Sequence, residues 1–377
     1  MRLVLPLEPS LWSVKYRPTS WDQFVGQDTV LSHLKSLTQN QSFPNMIFYG
    51  PSGTGKSAAV EVYAREALGD DYASNYKLLN VRDIREMPVS KAKRSLQDLA
   101  KLDQSERTEL DEYMSLVYRE AKAALKTRGQ SKEPNRSQML QTAIRMFAST
   151  YTFSEVPVKI LVLEEADALD NNMQQALRRT MEIYSDVTRF ILITHTLSGW
   201  SPAILSRSLI LRFQSPSLEE IEKHIAKIAS SENITIDDGG VAAVAKESLG
   251  DLRRAINLLQ VAAAGTSSVT ERTVYEVNQT TLTREVHEMV SHAFSGKFLK
   301  ARKTLRNLLA LEGYLASEVS LEIQRDLVRR QLEPEVVRTA LERLAEIDHR
   351  LTQARNPFIH LTALLASLTY IGNEGQN

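Results

Sequence analysis

Met46-Ile47-Phe48-Tyr49-Gly50-Pro51-Ser52-Gly53-Thr54-Gly55-Lys56-Ser57 joins a short apolar run to a glycine-rich turn, and Ala58 to Leu68 carries it on with helical spacing. A strand that feeds such a turn and then a helix is a phosphate cradle. Its backbone N–H groups and helix N-terminus face an anion, Lys56 reaches the β/γ oxygens of a nucleotide, and the Ser57 hydroxyl ligates Mg²⁺. Gly50, Gly53 and Gly55 matter because a Cβ there would hold the backbone off the phosphate or forbid positive φ. Thr54 completes the loop.

A chain of 377 residues exceeds what one core usually holds, so two or three domains are expected. The absence of cysteine excludes disulfides, thiolate metal sites and cysteine nucleophiles. Met1 to Pro6 is too short an apolar run for a targeting peptide, and no stretch is long enough to span a bilayer. The expectation is a cytoplasmic protein, or a nuclear one in a eukaryote, with no membrane partner. Lys+Arg and Asp+Glu balance at 46 each, so any contact with nucleic acid must come from a local stripe.

Apolar, β-rich runs recur at Tyr76 to Asn80, Val158 to Leu163, Phe190 to Thr194 and Leu209 to Phe213, alternating with helical patterns. This predicts an α/β domain over residues 1–215, with a parallel sheet covered on both faces. Beyond Gln214-Ser215-Pro216 the pattern is wholly helical. Ser217-x-x-Glu220 predicts a capping box on a helix that buries Ile221, Ile225 and Ile228, with further helices at Gly240 to Ser248 and Asp251 to Ala264. This lid spans 216–282, with Gly265 to Ser268 read as a linker. Residues 283–377 read as a helical bundle, with Val319, Ile323, Leu327 and Leu332 among its apolar positions.

Residues 85–134 break the sheet rhythm between the second and third strands. Val89, Ala92, Leu96 and Leu99 line one helical face and Leu110, Met114, Val117, Ala121 and Leu125 another, closed by Lys126, Arg128 and Gly129. An inserted helical hairpin follows. It is either decoration packed on its own sheet or an arm that faces a partner or DNA.

The run Val158 to Leu163 leads into Glu164-Glu165-Ala166-Asp167, setting carboxylates at the C-terminal edge of a parallel strand, where open α/β sheets bind ligands. Beside a phosphate loop, one acid holds the Mg²⁺ water shell and the next orients and deprotonates the attacking water. The plainer alternative is an acidic helix start that suits the dipole. Arg207, ahead of the strand Leu209 to Phe213, and Arg253, at the head of a lid helix, form a pair of charge stabilisers unless each is a surface ion-pair residue.

In order along the chain stand Val14-Lys15-Tyr16-Arg17-Pro18, Val25-Gly26-Gln27, the phosphate loop, the acidic strand, Ala176-Leu177-Arg178-Arg179-Thr180-Met181-Glu182, Ser206-Arg207, Gly250-Asp251-x-Arg253-Arg254 and Asn356-Pro357. This series resembles a small subunit of replication factor C, the AAA+ sliding-clamp loader, over nearly the whole chain except the hairpin. The resemblance implies an AAA+ P-loop core with a parallel sheet, a helical lid and a C-terminal helical collar that makes the oligomer. It implies ATP and Mg²⁺ as cofactors. As partners it implies a large subunit and further small subunits, the sliding clamp and primer–template DNA. Val14, Arg17, Pro18 and Val25 would border the adenine. Lys56 and Ser57 would bind phosphate and metal, Glu164 the metal shell, and Glu165 would be the general base. Arg253 would contact the γ-phosphate from the lid, Arg207 would act as an arginine finger on a neighbour's ATP, and Asn80 would be the switch that holds Glu165 from water. Arg136, Arg145 and Arg178 would face DNA.

Four departures accompany it. Glu164 stands where the family usually has Asp, His195 where it has a sensor Asn, and Ser208 where it has Cys. Gln141 and Ala143 replace Arg and Lys on the helix Ser137 to Ser149, whose basic face follows template phosphates in the family. Lys91, Lys93, Arg94, Lys122, Lys126 and Arg128 of the hairpin are candidate substitutes. Glu164 and His195 motivate an alternative, a nucleotide-binding subunit that hydrolyses weakly or not at all. A third reading, an origin-binding or helicase-loading ATPase, lacks a basic recognition helix after the lid.

Overall fold

The computed structural model describes residues 11–93, 109–127, 129–150, 158–264, 268–278, 281–330, 332–352 and 354–374. Arg94, Leu96, Leu99 and Arg128 lie outside them. Among the described residues five strands form one sheet: β1 (Met46–Tyr49), β2 (Tyr76–Asn80), β3 (Lys159–Glu164), β4 (Thr188–Thr194) and β5 (Leu209–Arg212), ordered β2-β3-β4-β1-β5. Every pairing is parallel. The parallel sheet expected within residues 1–215 is present.

The inner strands read as near-continuous apolar runs because both their faces are covered. Met46, Phe48, Ile160, Val162 and Ile191 pack toward the helix Lys56–Leu68, while Ile47, Leu161, Leu163 and Leu192 pack toward the helices Arg136–Ser149 and Asn171–Ile183. Alternate residues of one strand thus enter opposite layers. The chain leaves β1 and returns three positions away as β2, with β4 and β3 between them, so a crevice opens at the carboxyl ends of the strands. Register brings the chemistry there: Asn80 lies opposite Glu164, and Tyr49 opposite Thr194.

The insertion's helix Glu109–Thr127 buries Met114, Val117, Tyr118, Ala121 and Leu125 in the same core as Met139, Leu140, Ala143 and Ile144. It ends as its sequence predicts, with Gly129 at φ +73° donating to Lys126 O and Gln130 donating to Leu125 O. This corrects the reading of Ala143. It is fully buried, and its carbonyl accepts from the Tyr113 hydroxyl at 2.6 Å, so a basic side chain there would not face outward. Of the hairpin's basic residues, Lys91 pairs with Asp111 at 2.9 Å, while Lys93 and Lys122 pair with Glu133 at 3.3 and 3.2 Å.

The chain divides into two compact units, the described residues through Glu271 and those from Arg272. The lid's helices through Ala264 lie in the first, while its last helix, Glu271–Asn278, begins at the boundary and falls mostly in the second. The lid helix Leu218–Ser231 carries the expected capping box, Glu220 N–H to Ser217 Oγ at 3.2 Å and Ser217 N–H to Glu220 Oε2 at 2.7 Å. The next two helices are Asp238–Glu247 and Leu252–Ala264. Part of the supposed linker is a strand: Ser268–Val269 pairs with Thr235–Ile236. The second unit is a bundle of the helices Thr281–Phe294, Phe298–Ala310, Ala316–Arg329, Pro334–Leu351 and Pro357–Glu374. Val319, Ile323 and Leu327 are fully buried there, whereas Leu332 falls in the connection between two helices and not on their face. Among the described residues no helix is long and apolar enough to cross a membrane.

Candidate functional site

A cavity of 470 Å³ opens where the phosphate loop, the carboxyl ends of β3 and β4, the segment before Asp28 and the lid meet. Gly53, Thr54, Gly55, Lys56 and Ser57 form its floor. Gly53 and Gly55 sit at φ +66° and +89°, where L side chains are strained, and a Cβ on Gly50 would stand 2.1 Å from Phe213 O. The loop can hold this shape only with these glycines. Lys56 is 7% exposed, and its ammonium donates to Gly50 O at 2.8 Å and to Pro51 O. Burial pulls its pKa down to about 8, although the carboxylates of Asp251 and Glu164 work the other way.

The Ser57 hydroxyl donates to Glu164 Oε1. Two hard oxygen donors therefore meet at the loop's end, a donor set that suits Mg²⁺. The extra methylene of Glu164 does not carry its carboxylate away from that point. Among the described residues no three acidic or histidine side chains gather as a metal cluster. Glu165 follows in the left-handed region at φ +51°, uncommon for a non-glycine, and this sharp turn aims its side chain along the strand edge. Asn80 Nδ2 approaches Glu165 Oε1 at 3.4 Å, while Asn80 Oδ1 caps the following helix by accepting from Arg82 N and Asp83 N. Arg82 Nε stands 3.0 Å from Glu165 Oε2.

Val14, Arg17, Pro18 and Val25 also line the cavity. Val14 is 54% exposed, leaving an apolar face open, and Arg17 is held by Glu61 at 3.0 Å. The lid contributes Arg253, Ile256 and His224. Burial, with Lys227 behind it, lowers the His224 pKa below its ordinary value and favours the neutral ring. His195, just beyond β4, also lines the cavity. The N-terminal segment is fastened to the lid through Trp12 N–H to Gln260 Oε1 at 3.0 Å and Lys15 to Glu232 at 3.0 Å. Gln27 braces the core–lid connection, accepting from Gln214 N at 3.1 Å and donating to Gln214 O at 2.6 Å.

Arg207 is absent from the cavity wall. It is exposed, donates to Ala203 O at 2.8 Å and pairs with Glu182 at 3.0 Å; Arg178 reaches the same carboxylate at 3.8 Å. Arg136 and Arg145 are exposed but stand nine residues apart on one helix, about two and a half turns, so they do not form a single stripe. Sequence reasoning missed Arg82, His224 and Asp251. Arg82 carried a signal as a cation two residues after Asn80 at the strand edge, and Asp251 as a member of the motif Gly250-Asp251-x-Arg253-Arg254, whereas His224 carried none.

Three family models match: an AAA domain over residues 40–201, an RCF1/5-like AAA+ ATPase lid domain over 223–264, and the replication factor C C-terminal domain over 282–367. The replication factor C small subunit of Thermofilum pendens is 31% identical over 98% of this chain and 99% of its own length. That of Archaeoglobus fulgidus is 30% identical over 97% and 98%, and small subunit 1 of Pyrobaculum arsenaticum is 32% identical over 97% and 96%. Among solved structures, the Aeropyrum pernix Orc1 protein in complex with DNA aligns over 85% of this chain and 82% of that one, at 19% identity and a TM-score of 0.48.

Proposed function

The chain belongs to the replication factor C small-subunit family, an AAA+ ATPase family, and on that premise we propose that it is an ATP-hydrolysing subunit of a clamp loader. In this reading ATP binding orders a ring of core domains that opens a sliding clamp on primer–template DNA, and hydrolysis releases both. Core, lid and collar divide near residues 215 and 282.

Mg²⁺-ATP brings the reactive γ-phosphoryl group and the charge that the site must spread. The loop N–H groups and Lys56 bind the β and γ oxygens, exchanging the Lys56 bonds to Gly50 and Pro51 carbonyls for stronger anionic acceptors. Ser57 and Glu164 would hold Mg²⁺, which would offset the phosphate charge there. Glu165 takes the proton of the attacking water, and Asn80 with Arg82 keeps its carboxylate engaged until DNA binds, with Arg145 as the phosphate contact on the outer face of its helix and Arg136 and Arg178 reaching DNA only from other faces. Arg253 senses the γ-phosphate from the lid, with His195 as the sensor beyond β4.

The observation that carries this reading is the division of the charged groups. Lys56, Ser57, Glu164, Glu165 and Arg253 line one cleft, while Arg207 stands outside it on an exposed face, where it pairs with Glu182 and from which it would complete the site of the next subunit. The Ser57–Glu164 hydrogen bond supports a working metal site over a merely structural subunit. The test is ATP turnover of the reconstituted complex. Glu165→Gln in this chain alone should remove this site's share, and an unchanged rate, with Arg207→Ala still harmful, would leave only the structural role.

A further inference from the structure

Asp251 opens the lid helix Leu252–Ala264, and its two carboxylate oxygens do different work. Oδ1 accepts from Arg254 N at 3.0 Å and caps the helix, while Oδ2 accepts from Ser52 Oγ at 2.8 Å. The carboxylate lies so close over the phosphate loop that a Cβ on Gly53 would stand 1.8 Å from Oδ1. Gly53 is needed for this approach as well as for its φ of +66°. Just before it, Gly250 at φ +84° packs on Ser215, where a Cβ would meet Ser215 Cβ at 2.9 Å. The start of the lid helix is thus fixed from both sides by core residues.

We propose that Asp251 is a positioning residue that latches the lid helix to the outer edge of the phosphate loop through Ser52, and so sets the reach of Arg253 two positions later. A lid that rotates must break the Ser52 bond or drag the loop with it. Loop shape and Arg253 placement become one movement. The consequence for ligand binding rests on the reading of the cavity as a nucleotide site; the latch itself does not.

The chain has no cysteine, so spin labels on Asp70→Cys and Lys223→Cys, exposed on the core and the lid, report the lid–core distance without background. In the full-length chain without nucleotide, Ser52→Ala should broaden that distance distribution, and Ser52→Thr, which keeps the hydroxyl, should restore it. An unchanged distribution in Ser52→Ala overturns the latch. With a fluorescent ATP analogue, Ser52→Ala should weaken binding about fivefold. If it acts through Arg253, the double variant Ser52→Ala, Arg253→Ala should bind within about twofold of Arg253→Ala alone, whereas fully multiplicative losses would overturn that route. Failure of the unaltered chain to bind the analogue would sink the nucleotide reading, and the distances would still decide the latch.

Discussion

Arg82 Nε stands 3.0 Å from Glu165 Oε2, closer than the 3.4 Å between Asn80 Nδ2 and the other carboxylate oxygen. Arg82 therefore adds a charge contact beside the Asn80 hydrogen bond, since Glu165 Oε2 itself accepts no hydrogen bond among the described residues. Arg82 is 55% exposed, so the pair adds little to stability and can open at small cost. Arg82→Ala should raise the DNA-independent ATPase of the assembled complex several-fold and shrink its stimulation by DNA. Glu165→Gln should lower this site's turnover by about 10² to 10⁴. Single-site turnover with and without DNA checks both.

The strands and the phosphate loop were legible because each is local. Met46 to Tyr49 and Val158 to Leu163 announce themselves as apolar runs, and Ser217 with Glu220 spells its own cap. What could not be read depends on pairs distant in the chain. Arg82 and Glu165 meet only because β2 and β3 are neighbours, and Asp251 meets Gly53 only because the lid folds back over the loop. Ala143 misled because the insertion, present in this chain between β2 and β3, supplies a second helix that covers a face otherwise open to solvent. The pairing of Thr235–Ile236 with Ser268–Val269 is too short for any alternation to show.

Nucleotide affinity should fall as pH rises past about 8. Burial lowers the Lys56 pKa to about 8, so above that value the free protein increasingly presents a neutral amine to an anionic ligand. Each further pH unit should weaken Mg²⁺-ATP binding by up to about tenfold, until the lysine of the complex also titrates. Stability should move the opposite way. Between about 8 and 10.5 the unfolded chain holds more protons than the folded one at this residue, so its contribution to stability grows with pH. Calorimetric titrations across that window, with Lys56→Met as the control that flattens the affinity profile, check the assignment.

Arg207→Ala should leave nucleotide binding by the isolated chain untouched, since the residue does not line its own cavity. In the assembled complex it should cost about 10³ to 10⁵ in turnover at the neighbouring site. Glu182 holds the same guanidinium at 3.0 Å, so Glu182→Gln should change assembly-dependent turnover and not the affinity of the single chain. Loss of binding by the isolated Arg207→Ala chain would contradict the division of labour.

Met114 is fully buried between the insertion's helix and the helix Arg136–Ser149. Met114→Ala should therefore destabilise the first unit by about 2 to 5 kcal/mol, a core cost and not that of a surface arm. Urea unfolding checks it, and a change under about 0.5 kcal/mol would mean that the hairpin does not share the core.

The salt dependence of DNA binding separates the exposed arginines from the paired lysines. Lys93 and Lys122 both engage Glu133, whose carboxyl is held down to about 2, chiefly by the Tyr118 hydroxyl and then by Lys122. Glu133 therefore stays ionised throughout the working pH range, and its negative charge offsets the lysines on that face. Arg145 has no such acid within ion-pair distance among the described residues. Arg145→Ala should reduce the slope of log K against log salt by about 0.9 per lost phosphate contact, whereas Lys122→Ala should leave it unchanged. A flattened slope in Lys122→Ala would move the DNA path from the helix Arg136–Ser149 onto the insertion.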